Sequence, residues 1–192
     1  MMLLAVVCSA ASSTALAQSY MDFGGMYGYS GEFEANGVYV NPYTGADSCP
    51  TGYTAYQIYG TPGPADHQVY FCGRITSVAN NTTPVADFGG MWSFTYGNPL
   101  TGGYSCPTGY TQTQVLGTIN VDYGLYYCHR ATAASPQYRL GGMFGTYATS
   151  LANLSYPNPL VRKPDCPAGY IKQNTMGVIV DRPLYYCYQQ LY

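Results

Sequence analysis

Apolar and polar positions along this chain alternate over short stretches and rarely keep a helical spacing. The runs Tyr56-Gln57-Ile58-Tyr59 and Gln114-Val115-Leu116 are rich in strand formers, and each stops at a glycine. Beyond residue 17, no window of about twelve residues keeps apolar spacing at a helical period without a Gly or Pro. The pattern predicts an all-β chain. Residues 148–154 are the one stretch that reads as a helical turn. In the segments Val69-Tyr70-Phe71-Cys72, Leu125-Tyr126-Tyr127-Cys128 and Leu184-Tyr185-Tyr186-Cys187, adjacent rings must face opposite sides of a strand. Tyr126 therefore shares the face of Cys128, and Tyr127 opposes it.

Those closing segments belong to a unit repeated three times. Each copy opens on a glycine pair, in Phe23-Gly24-Gly25-Met26, Phe88-Gly89-Gly90-Met91 and Leu140-Gly141-Gly142-Met143. Asn-Pro follows at Asn41, Asn98 and Asn158, and eight residues beyond each Asn stands a cysteine opening Cys-Pro-x-Gly-Tyr. Pro fixes φ and Gly supplies a positive one, so this motif predicts a tight turn leading into a strand. The repeats span about residues 22–74, 87–130 and 139–189. Spacing that stays fixed marks strands and turns held by packing, whereas the stretch between each mid-repeat glycine and the next Asp varies and reads as a loop. Residues 76–84 and 131–137 are small and polar and read as linkers.

Residues 1–17 form an apolar run ending in Ala15-Leu16-Ala17, the pattern of a cleaved signal peptide, which predicts a secreted protein comprising residues 18–192. Cleavage removes Cys8 and leaves Cys49, Cys72, Cys106, Cys128, Cys166 and Cys187. An even count in an oxidising compartment implies disulfides, and like folding of each copy pairs Cys49–Cys72, Cys106–Cys128 and Cys166–Cys187. Each bridge would contribute roughly 3 kcal/mol by restricting the unfolded chain. Closely spaced ligand pairs of the zinc-site kind are missing, so neither metal nor cofactor is expected. Asn80, Asn81 and Asn153 stand in glycosylation sequons.

Composition narrows the function further. Charged residues make up 8% of the chain and aromatic residues 16%, with 23 tyrosines and a formal charge of −2. No basic footprint for nucleic acid is present. Asp66, Asp122 and Asp181 recur at one offset, but calcium demands several carboxylates together, so turn initiation is the simpler reading. His67 and His129 stand in non-equivalent places without a nucleophile motif, which argues against an enzyme. Arg74 and Arg130 follow two of the closing cysteines where the third copy has Tyr188-Gln189, and they read as solvated strand ends.

The string Phe88-Gly89-Gly90-Met91, Gly97-Asn98-Pro99-Leu100, Cys106-Pro107-Thr108-Gly109-Tyr110 and Leu125-Tyr126-Tyr127-Cys128 resembles repeats of the perforin-2 family, the macrophage-expressed perforin-like proteins. There such units follow the pore-forming MACPF domain, in a β-prism-like region associated with lipid contact. The resemblance covers the three repeats; no MACPF domain is recognised in these residues. The third copy departs at Leu140 and at Val161-Arg162, where the others carry Phe and Thr-Gly. The implied fold agrees with a separate argument: a unit of about fifty residues cannot bury its sheet faces alone, whereas three can share one core. The expected architecture is a pseudo-three-fold, β-prism-like arrangement of three disulfide-stapled repeats, with beads on a string as the alternative.

The sequence thus predicts a secreted, non-catalytic structural or interaction protein of an extracellular matrix, coat or biomineral-associated layer. Its partners would be matrix components or other copies of itself. Lipid or glycan binding, as the resemblance implies, is the alternative.

Overall fold

A glycine pair cannot hold a strand together by itself, yet in this protein each pair sits at the centre of one. The computed structural model describes residues 19–29, 37–60, 67–77, 84–117, 124–131, 136–148, 153–176 and 183–191. Eleven strands and no helix occur among them. The first repeat supplies β1 (Ser19–Tyr29), β2 (Val38–Tyr39), β3 (Thr54–Tyr59) and β4 (Gln68–Ser77); the second supplies β5 (Ala86–Ser93), β6 (Thr111–Leu116) and β7 (Leu125–Ala131). The third supplies β8 (Tyr138–Ala148), β9 (Asn153–Tyr156), β10 (Ile171–Met176) and β11 (Leu184–Gln190). Within a repeat the closing strand lies antiparallel between the other two long strands, as β1-β4-β3, β5-β7-β6 and β8-β11-β10.

The glycine pair makes a bulge in the opening strand. Register slips between Phe23 and Met26 against β4, and between Phe88 and Met91 against β7. The second glycine of each pair, Gly25, Gly90 or Gly142, has φ near 90°, a region that side chains disfavour. Beside it lies the buried amide of Asn41, Asn98 or Asn158, and a Cβ on the glycine would overlap the amide oxygen. A Cβ on the first glycine would strike the ring of Tyr53, Tyr110 or Tyr170, the tyrosine that ends Cys-Pro-x-Gly-Tyr.

The asparagine explains the fixed spacing. The Asn98 amide nitrogen donates to the Gly89 carbonyl at 2.9 Å and the Ser105 carbonyl at 3.2 Å, and lies 3.5 Å from Cys128 Sγ. Its amide oxygen accepts from Leu100 N at 3.1 Å. Asn41 and Asn158 make the same set with Gly24, Ser48, Cys72 and Tyr43, and with Gly141, Asp165, Cys187 and Leu160. One side chain thereby joins bulge, loop and disulfide. All three expected disulfides are present, with Cα separations of 5.4, 5.4 and 5.5 Å. The Cys-Pro-x-Gly-Tyr turns close as predicted: Tyr53, Tyr110 and Tyr170 N–H donate to the carbonyls of Pro50, Pro107 and Pro167, over Gly52, Gly109 and Gly169 at φ 83–84°.

The three repeats touch in a closed ring of like contacts: β6 meets β1, β3 meets β8, and β10 meets β5. Single pairings also join β1 to β5 at Phe23–Ala86 and to β8 at Met21–Leu140. Where these surfaces meet lies one core, with Phe23 edge-on to Phe88 (5.1 Å) and Tyr127 (5.7 Å), and Phe88 edge-on to Tyr186 (5.1 Å). β3, β6 and β10 are each exposed at the start and buried towards the end, where they enter this junction. The shared core excludes beads on a string.

Two sequence readings need correction. The stretch 148–154 is strand at both ends, where a helical turn is expected: Ala148 ends β8 and pairs with Asn153, the start of β9, while residues 149–152 lie outside the described residues. Strand pairing next to a preformed sheet outweighs the weak helical preference of a short Ala-rich stretch. The linkers are also shorter than the composition implies, because Thr76 and Ser77 extend β4 against Tyr20 and Ser19, and Ala131 pairs with Ala86. Between the glycine pair and the Asn the middle repeat is eight residues shorter than the other two, and the structure shows where they go. Repeats one and three carry the short strands β2 and β9, whereas in repeat two Ser93 N–H turns back at once onto the Tyr96 carbonyl at 2.9 Å.

Replacing Asn98 by Ala strips buried carbonyls of their donor and should lower stability by about 2 to 3 kcal/mol, read from the denaturant midpoint at unchanged slope. A loss below about 0.5 kcal/mol would show that this amide does not organise the repeat.

Candidate functional site

Outside the core, each repeat presents the same feature on its outer face. The residue two places after the glycine pair stands directly opposite the outward ring of the closing strand: Tyr27 opposite Tyr70, Trp92 opposite Tyr126, and Phe144 opposite Tyr185. Cross-strand neighbours at this spacing can stack. They do, with centroids 5.0, 4.3 and 5.0 Å apart and planes within 22° of parallel. The other ring of each closing pair, Phe71, Tyr127 or Tyr186, is fully buried in the core, which is the in-and-out alternation the sequence predicts.

What surrounds the stack differs from copy to copy. In repeat one, Tyr29 stands edge-on to both rings and donates through its hydroxyl to Asp47 at 2.8 Å. Burial, and next that hydrogen bond, push the Tyr29 phenol up to about 12. In repeat three, the Lys172 ammonium lies 4.7 Å from the Tyr185 centroid and 5.2 Å from that of Phe144, within cation–π reach. Among the described residues, repeat two places no charged group against its stack. Phe94 stands edge-on to Trp92 and Tyr126, Tyr104 lies 6.1 Å from Trp92, and both outer rings are more than half exposed, at 53% and 58%. Among tyrosines whose side chains are described, Tyr104 alone is exposed. The Tyr-rich composition therefore builds mostly interior and half-buried stacks, with one open aromatic cluster on the middle repeat.

The other sequence-marked residues have mainly structural places. His129 is buried between repeats: Nδ1 shares a 2.6 Å hydrogen bond with the Tyr43 hydroxyl of repeat one, and Nε2 a 2.7 Å bond with the Thr113 hydroxyl of repeat two. Removal of water around the ring lowers its pKa to about 4. Both nitrogens are engaged by hydroxyls, and the ring acts as a strut between units. His67 is exposed at the foot of β4. Arg74 and Arg130 are not solvated strand ends. Arg74 pairs with buried Asp22 at 2.7 Å and covers the Tyr53 ring at 4.8 Å; Arg130 pairs with buried Asp87 at 3.0 Å and covers Tyr110 at 4.6 Å. The first glycine of the pair leaves the slot in which that tyrosine ring lies. In repeat three, Arg139 takes the place of Asp and Gln189 that of Arg, and the Arg139 guanidinium lies 4.7 Å from the Tyr20 centroid.

Asp66, Asp122, Asp181, Asn80, Asn81 and the predicted signal peptide fall outside the described residues, and Asn153 is placed only through its backbone in β9. Among the described residues, no group of three or more His, Cys, Asp or Glu side chains gathers to hold a metal ion. Sequence reading found the outward tyrosines but missed their partners Tyr27, Trp92 and Phe144. An aromatic recurring directly after Gly-Gly-Met was the available signal. No family model matches this chain, and no curated protein matches it significantly.

His129 generates a pH dependence of definite sign. Its folded pKa lies below the unfolded value near 6.5, so the unfolded chain takes up a proton that the folded chain refuses. Stability from this group is intact above pH 6.5 and falls as pH drops towards 4. A melting temperature that declines over this window in the native chain, with a flatter decline in His129→Gln, is the expected result; identical profiles would remove the strut from the account.

Proposed function

We propose that this is a secreted, non-catalytic interaction protein that works as a building element of an extracellular matrix, coat or biomineral-associated layer. Three disulfides in a small all-β fold suit an oxidising compartment. The observation that carries the reading is the open aromatic cluster of the middle repeat, where Phe94 and Tyr104 lie exposed around the Trp92–Tyr126 stack. Exposed aromatic area rimmed by polar chain is costly in water and characteristic of contact surfaces. His129 is enclosed between two hydroxyls, and Arg74 and Arg130 are committed to Asp22 and Asp87.

A second reading, lipid or glycan binding by a relative of the perforin-2 accessory region, draws on the same cluster, because flat exposed rings also suit sugar faces and lipid chains. A three-fold, β-prism-like placement of the repeats accords with their cyclic contacts.

Trp92 is the only tryptophan, so its fluorescence reports on this cluster directly. The double substitution Phe94→Ser with Tyr104→Ser should weaken retention on insoluble matrix polymers at least about tenfold, equivalent to roughly 1.4 kcal/mol, at unchanged melting temperature. Unaltered retention, with dilute monodisperse behaviour of the native chain, counts against the matrix reading. Saturable binding to defined liposomes or arrayed glycans, with a Trp92 response, decides for the second.

A further inference from the structure

Six residues past the buried asparagine, repeat one carries Asp47, repeat three Pro164 and repeat two a tyrosine, Tyr104. The loop that bears it is fixed at its base. Asn98 N–H donates to the Gly103 carbonyl at 2.7 Å, and the Thr101 hydroxyl to the Ser105 carbonyl at 3.1 Å. Its tip stands clear: a Cβ built on Gly102 or Gly103 would meet nothing within 4 Å. Tyr104 is the exposed phenol among the described tyrosine side chains, and no described residue engages its hydroxyl. The hydroxyls of Tyr29, Tyr43, Tyr53 and Tyr70, by contrast, are held by Asp47, His129, the Val85 N–H and Gln68.

Behind Tyr104 lies the single tryptophan. Trp92 is buried, with the Tyr104 ring 6.1 Å and the stacked Tyr126 ring 4.3 Å away between centroids. Its indole N–H is enclosed and finds no hydrogen-bond acceptor among the described residues. A buried donor without a partner costs stability, and its consequence here is chemical. An indole that loses an electron becomes a cation, and an enclosed cation whose proton has no acceptor is unfavourable. Tyr104 touches that indole and can release its own proton directly to water as it is oxidised. An electron vacancy on Trp92 therefore moves outward to Tyr104.

We propose that Tyr104 is a site of oxidative coupling, fed by the Trp92–Tyr126 stack, at which one copy of the chain is joined to Tyr104 of a second copy. The oxidant is a haem peroxidase with hydrogen peroxide. Each Tyr104 gives up one electron and its phenolic proton, and the peroxide takes up both electrons and both protons and leaves as two waters. The two phenoxyl radicals form a carbon–carbon bond between ring positions ortho to oxygen. The hydrogens on those carbons then pass to the oxygens, which restores both phenols. The partner is Tyr104 because every copy offers the same exposed phenol at the tip of the same rigid loop. The proposal rests on the matrix reading and adds a covalent bond at its contact surface.

The test treats the native chain with peroxidase and limiting hydrogen peroxide, beside Tyr104→Phe, which keeps the ring and removes the phenol. The native chain should give a dimer that survives thiol reduction and boiling in detergent, with the blue emission of a biphenol. Mass mapping should find peptides joined Tyr104 to Tyr104. The variant should lose most of the dimer at a near-native melting temperature. Trp92 should now be consumed instead, seen as lost fluorescence and as oxygen added to its peptide. Undiminished dimer in the variant overturns the proposal, as do peptides joined mainly through other tyrosines, including Tyr123 and Tyr192, which lie outside the described residues. So does a native chain that yields no dimer, or one that loses Trp92 as fast as the variant. Coupling is read in dilute solution without matrix polymer, and retention on polymers is read without oxidant, so the two readings fail separately.

Discussion

A single buried amide organises each third of this molecule. Asn41, Asn98 and Asn158 are wholly enclosed, and each reaches a glycine carbonyl in the opening strand, a loop carbonyl before the first cysteine and the sulfur of the second. An enclosed amide must find partners for both ends, and only a bulged strand with a bare Cα beside it leaves room. Gly-Gly, Asn-Pro and the cysteine spacing are therefore one constraint seen at three places in the chain. The disulfide then fixes a geometry that the amide has already selected, which is why the distances repeat so closely from copy to copy.

Much of this could be read from residues alone. Repetition identified the disulfides, the turn at Cys-Pro-x-Gly-Tyr and the alternation of the paired rings. What escaped was everything that needs two distant segments at once. Asp22 and Arg74 look unrelated in a linear reading, yet Asp87 and Arg130 reproduce them, and in repeat three both members are replaced together by Arg139 and Gln189. Joint replacement is the mark of a pair, and it was available before any coordinates. The helical reading of residues 148–154 fails at its two ends, Ala148 and Asn153, for the opposite reason: local preference is weak beside the edge of a sheet that offers hydrogen bonds.

The candidate site was legible only in part. An outward tyrosine on each closing strand follows from alternation, but its exposure depends on what crosses above it. Tyr70 and Tyr185 are half-covered by a phenol–carboxylate pair and an ammonium group, whereas Tyr126 adjoins the open rings of Phe94 and Tyr104. Composition gave a tyrosine-rich chain; packing decides that most of those rings are interior.

The cyclic contacts carry a consequence for a repeat on its own. β3, β6 and β10 each touch the opening strand of another repeat, so a lone repeat would leave that seam open to water and could cover it only against other molecules. Carried on one polypeptide, the three copies need not match on their outer faces, and they do not: the same stack is bordered by Tyr29 and Asp47 in repeat one, by Phe94 and Tyr104 in repeat two and by Lys172 in repeat three.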